Sequence, residues 1–77
     1  MAFINNLERI NMERNSLHDA VSATYSVFGQ DDRLLLQIDT YGSVERQIPG
    51  KKSQTIQFDR NSAEQLFSIL KDEFGFV

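Results

Sequence analysis

Apolar positions change their period twice along the chain. At the start, Phe3, Ile4, Leu7 and Ile10 recur at three- and four-residue spacing with polar residues between them, which is the repeat of one helix face. This predicts a short amphipathic helix over residues 2–14, ended by Asn15, Ser16 and the polar residues after them. From residue 20 to 28 the period drops to two. Val21, Ala23, Tyr25 and Val27 then share one side and Ser22, Thr24, Ser26 and Phe28 the other. A stretch so rich in β-branched and aromatic residues reads as a strand. Gly29, Gln30, Asp31 and Asp32 have the composition of a hairpin turn. Residues 33–41 alternate again, with Leu34, Leu36 and Ile38 on one face and Leu35, Gln37, Asp39 and Tyr41 on the other. A weaker strand is expected around residues 45–48. Pro49 and Gly50 break the chain, and residues 53–58 form a last strand with Ile56 and Phe58 pointing the same way.

Helical spacing returns at the C-terminal end. Asp59 or Asn61 can accept the orphan N–H bonds of a first turn, and with Asn61 as the cap Glu64 occupies the capping-box position. Leu66, Phe67, Ile69, Leu70 and Phe74 make an apolar face, and Gly75 is a stop signal. The expected fold is therefore α+β. A small antiparallel β-meander of three to four strands over residues 20–58 carries a C-terminal helix, residues 60–74, on one face. A short N-terminal helix precedes it, all in a single domain of residues 1–77. One helix cannot cover both faces of such a sheet. The face read as carrying Tyr25, Gln37, Asp39 and Tyr41 is left to be solvated, dimeric or functional.

Size sharpens this expectation. A chain of 77 residues buries a modest share of its surface. With no cysteine, neither a disulfide nor a thiolate metal site can supplement the core. Oligomerisation is the remaining route, so a homodimer is expected. No stretch approaches the roughly 18 apolar residues of a membrane span, and the polar residues near the start do not fit a signal peptide. A cytoplasmic protein is the expectation.

The candidate chemistry is sparse. His18 is the single histidine, in a stretch read as a linker, and reads as a solvent-facing polar residue. Asp31 and Asp32 are adjacent at a turn and most simply solvate it. Ser43 and Ser53 have no base near in sequence, and the glycines do not form a phosphate loop. No catalytic residue, no metal ligand set and no cofactor is expected. The net charge is −3, yet residues 44–60 carry Arg46, Lys51, Lys52 and Arg60 against only Glu45 and Asp59, a local +2. Cations beside aromatic residues suit single-stranded nucleic acid, where lysines track phosphates and rings stack on bases. The candidate contacts are Arg46, Lys51, Lys52 and Arg60 for phosphates, with Tyr41, Tyr25 and Phe28 for bases.

The run from Leu34 to Leu70, with Ile38 through Tyr41, Pro49-Gly50-Lys51-Lys52, Ile56 through Asp59 and Gln65-Leu66, resembles the single-stranded DNA-binding domain of the eukaryotic transcriptional positive cofactor four and its bacterial relatives. The resemblance covers about half the chain. It implies a homodimer whose curved sheets form channels for extended single strands, with Lys51 and Lys52 on the backbone and a role in transcription regulation. Gly42 stands where that family has tryptophan, and Asp39 where it has a basic residue. The run is also similar to short bacterial proteins of unassigned function that carry IDTYGS followed by PGK and SQ. The expected function is non-enzymatic binding of single-stranded DNA or RNA. The alternative is a protein-interaction or accessory module, of the kind found in phages and mobile elements, acting through an acidic surface.

Overall fold

A computed structural model describes residues 1–42 and 52–77 of the chain. The elements are β1 (Ala2–Ile4), β2 (Ala23–Gln30), β3 (Arg33–Tyr41), β4 (Lys52–Phe58) and α1 (Arg60–Phe74). They form one four-stranded sheet in the order β1-β4-β3-β2. β2 and β3 are an antiparallel hairpin, and β3 and β4 are also antiparallel. β1 runs parallel to β4 and pairs Ala2 with Ile56, Phe3 with Gln57 and Ile4 with Phe58. The expected strand at residues 45–48 lies outside the described residues.

Two expectations are corrected. The sheet is mixed, not purely antiparallel, and residues 2–14 are not a helix. Ala2, Phe3 and Ile4 instead add a short strand along β4, where backbone groups of the segment gain ladder partners. The next residues, Asn5 and Asn6, are poor helix formers because their amides compete for the backbone. They bind α1 from an irregular segment: Asn61 donates to the Asn5 carbonyl at 3.1 Å and Gln65 donates to Asn6 Oδ1 at 3.1 Å, while the Leu7 N–H that follows donates to Gln65 Oε1 at 3.0 Å. Arg9 reaches Glu73 at 2.6 Å on the surface. The helical spacing of Phe3, Leu7 and Ile10 is thus spent differently. Phe3 belongs to a strand, Leu7 is half-buried and Ile10 is 70% exposed.

The start of α1 is fixed by Asp59 as N-cap. Its carboxylate accepts from the Ser62 N–H at 2.9 Å, and its own N–H donates to Ser62 Oγ at 3.1 Å. This is a capping box closed by Ser62, not by Glu64. Ser62 is fully buried and also donates to the Ile4 carbonyl at 2.6 Å, so one hydroxyl ties α1 to β1. Gly75 ends the helix at φ 72°, a left-handed geometry that glycine adopts without a Cβ penalty.

The strand register sorts the side chains. Tyr25 pairs with Ile38, Val27 with Leu36 and Gly29 with Leu34, while Leu36 and Ile38 pair with Phe58 and Ile56. These positions share one face, the apolar one. Leu35, Gln37, Asp39 and Tyr41 share the other with Thr55 and Gln57. Tyr25 therefore lies opposite the face where it was expected with Gln37, Asp39 and Tyr41. Alternation within one strand fixes which residues share a side, and only the register fixes which side of the sheet that is. Among the described residues the buried apolar side chains are Leu35 and Phe58 alone.

Candidate functional site

On the polar face a row of side chains crosses from β4 to β3. Thr55 donates to Asp39 Oδ1 at 2.6 Å, Gln37 donates to Asp39 Oδ2 at 3.0 Å, and Gln57 donates to Gln37 Oε1 at 2.9 Å. Asp39 is only 4% exposed. The hydrogen bonds from Thr55 and then Gln37 hold its carboxyl below the usual carboxylate range; burial opposes them and the Lys52 ammonium adds to them. Lys52 Nζ lies 3.4 Å from Asp39 Oδ2.

Lys52 reaches that face through a register irregularity. Thr40 pairs with Gln54 but Tyr41 pairs with Lys52, so Ser53 is the extra residue of a β-bulge. A bulge re-aims the side chain beyond it, and here it turns Lys52 onto the side of Asp39 and Tyr41. Tyr41 is anchored in turn, its hydroxyl 2.9 Å from Thr24 Oγ1. Asp39 is thus committed to three partners, Thr55, Gln37 and Lys52. Its negative charge is also met locally by Lys52 rather than presented bare.

The expected nucleic-acid residues do not converge. Lys52 and Tyr41 are cross-strand neighbours. Phe28 pairs with Leu35, near the hairpin turn at the other end of the same face. Tyr25 projects from the apolar face and is 76% exposed. Arg60 is the first residue of α1, at the far end of β4 from Lys52. Arg46 and Lys51 lie outside the described residues. The Asp39 network joins Gln37, which was expected on the same face, to Thr55 and Gln57, which were not singled out in the sequence; the signal was there, as two polar residues at period-two positions within the last strand.

The apolar face carries a different feature. Val27, Leu34, Leu36 and Phe58 of the sheet, with Arg60, Ala63 and Glu64 of α1, line an open groove of about 850 Å³. The helix therefore stands over β3 and β4 on this face, and among the described residues the β2 side is left open. There Tyr25, Val27 and Leu34 are 76, 55 and 69% exposed. Among the described residues no group of three His, Cys, Asp or Glu side chains is placed to hold a metal ion, and no helix is long and apolar enough to cross a membrane. No family model, no curated protein and no solved structure matches the chain.

Proposed function

We propose that this chain is a small non-enzymatic protein-interaction module that works as a homodimer. One observation carries the reading: among the described residues the β2 side of the apolar sheet face is uncovered, with Tyr25 and Val27 exposed along β2 and Leu34 exposed near Val27 on β3. Large apolar side chains that neighbour one another on a small domain mark an interaction surface more often than chance exposure does. The interacting surface in this reading is apolar, whereas an acidic one was expected from composition. Sedimentation equilibrium over a range of concentrations tests it. The expected result is a reversible dimer at micromolar concentration; a monomer at about 100 µM, too weak to matter at ordinary protein levels, overturns it.

A second reading, binding of single-stranded nucleic acid, is favoured by the bulge that sets Lys52 beside Tyr41. Lys51 and Arg46 are close to this pair in sequence. Lys52 is shared with Asp39, and few phosphates would be neutralised, so affinity would be modest and fall steeply with salt. Fluorescence anisotropy with labelled single-stranded oligonucleotides at low salt decides it. Binding that is lost in Lys51→Glu with Lys52→Glu supports it, and no binding at tens of micromolar protein removes it.

A further inference from the structure

We infer that the second copy docks on the free edge of β2, the two β2 strands running antiparallel so that two four-stranded sheets become one continuous sheet. This rests on the homodimer reading and gives it a geometry.

The edge can be read residue by residue. The Tyr41 N–H donates to the Ser22 carbonyl at 3.4 Å, so Ser22 and Tyr41 form a hydrogen-bonded pair of the β2–β3 ladder. Such pairs recur at every second position of an antiparallel ladder. Thr24, Ser26, Phe28 and Gln30 continue the series opposite Asp39, Gln37, Leu35 and Arg33. Ala23, Tyr25, Val27 and Gly29 therefore turn their N–H and C=O groups away from β3. Among the described residues β3 is the only neighbour of β2, so these groups have no strand to meet.

Exposed edges of this kind are normally blunted by lysine, proline, a bulge or shortness. β1, the opposite edge, is only three residues long. β2 has none of these protections. It is eight residues, ATYSVFGQ, with no charge and no proline, and its pairing with β3 runs without a register shift. An unprotected edge is a template for another strand, and the same edge on an identical chain fits it about a two-fold axis, which closes the assembly at two.

The chain exposes 7074 Å², about 2,300 Å² more than expected of a compact monomer of 8.9 kDa, and that excess includes the largely exposed irregular residues 5–22 as well as the apolar side chains of β2. Pairing centred on Ser26 sets Tyr25 of one copy against the partner's Val27 on the apolar face. It covers two of the three exposed side chains that carry the dimer reading.

The chain contains no cysteine, so single introduced cysteines report the geometry directly. Centred pairing puts the two copies of residue 26 opposite each other at a non-hydrogen-bonded site. The Cα separation there is about 4.5 Å, inside the roughly 4.4–6.8 Å that a disulfide spans. Ser26→Cys in the full chain should oxidise to a covalent dimer at least about tenfold faster than Ser68→Cys on α1, since only the first is held at bonding distance. Val27→Lys and Val27→Pro should each weaken the dimer about tenfold or more in sedimentation equilibrium. Circular dichroism checks that the variants fold, and Tyr25→Lys replaces Val27→Pro if that variant does not. A monomeric wild type overturns both the dimer and its geometry. A wild-type dimer overturns the β2 pairing alone in two cases: if Ser26→Cys cross-links no faster than Ser68→Cys, or if the β2 variants leave the dimer intact.

Discussion

Asp31 and Asp32 both sit at positive φ, 54° and 60°. They are the two central residues of a hairpin that joins Gln30 to Arg33, a loop that demands left-handed backbone at both positions. Aspartate tolerates that conformation better than most residues, but it carries a Cβ that glycine lacks. Asp32→Gly gives the Asp-Gly pair this turn favours. It should raise stability by about 0.5–1 kcal/mol in urea unfolding with the slope unchanged. Titration gives a second test at this scale. The carboxyls of Asp39 and Asp59 are held below 3.8, their ordinary value, by hydrogen bonds from Thr55 and from Ser62 respectively. A carboxylate depressed in the folded state adds stability that is complete above its unfolded pKa and disappears as pH falls through the folded value. The thermal midpoint should be level from about pH 7 to pH 5 and fall below about pH 4. Asp39→Asn should lower the midpoint at neutral pH and shrink its fall in acid.

At the scale of elements, the joint between β1, β4 and α1 depends on one hydroxyl. Ser62 accepts from the Asp59 N–H, donates to the Ile4 carbonyl and is fully buried. Ser62→Ala leaves both backbone groups without that partner and should cost about 1–2 kcal/mol in denaturant unfolding. It should also raise amide exchange in residues 2–4 ahead of β3. The periodic elements were legible in the sequence. The strand read at residues 33–41 and the helix at 60–74 match β3 and α1, because alternation and amphipathicity are set by residues close in the chain. What was not legible depends on distant pairing. Ala2, Phe3 and Ile4 are a strand only because β4, more than fifty residues on, offers them an edge. Tyr25 changes face for the same reason, since its side is fixed by Ile38 across the hairpin. Asp59 and Asn61 both suited the cap, and the choice fell to Asp59 because Ser62 can answer it while also reaching Ile4. The candidate site was the least legible part, since only the bulge at Ser53 reveals that Lys52 stands beside Tyr41 and Asp39.

At the scale of the whole molecule, charge separates the two functional readings by sign. Each chain carries −3, so two copies repel one another at low ionic strength, and the repulsion acts over about 10 Å at 0.1 M salt and about 30 Å at 0.01 M. The surface proposed to join them, β2 with Tyr25 and Val27, contains no charged group. Its affinity comes from backbone hydrogen bonds and apolar burial, which salt does not screen. Raising sodium chloride from about 0.02 to 0.5 M should therefore tighten the dimer severalfold, because only the opposing term is weakened. Binding to a nucleic acid through Lys52 and its neighbours must do the reverse, since each neutralised phosphate releases a counterion and affinity falls log-linearly with salt. Sedimentation equilibrium and oligonucleotide anisotropy across one salt series read both slopes on the same protein. A dimer that dissociates as salt rises would mean that ion pairs hold it. The uncharged β2 edge could not then be the joint, and the contact would have to be sought among charged surface residues such as Arg9 and Glu73, which already pair within one chain.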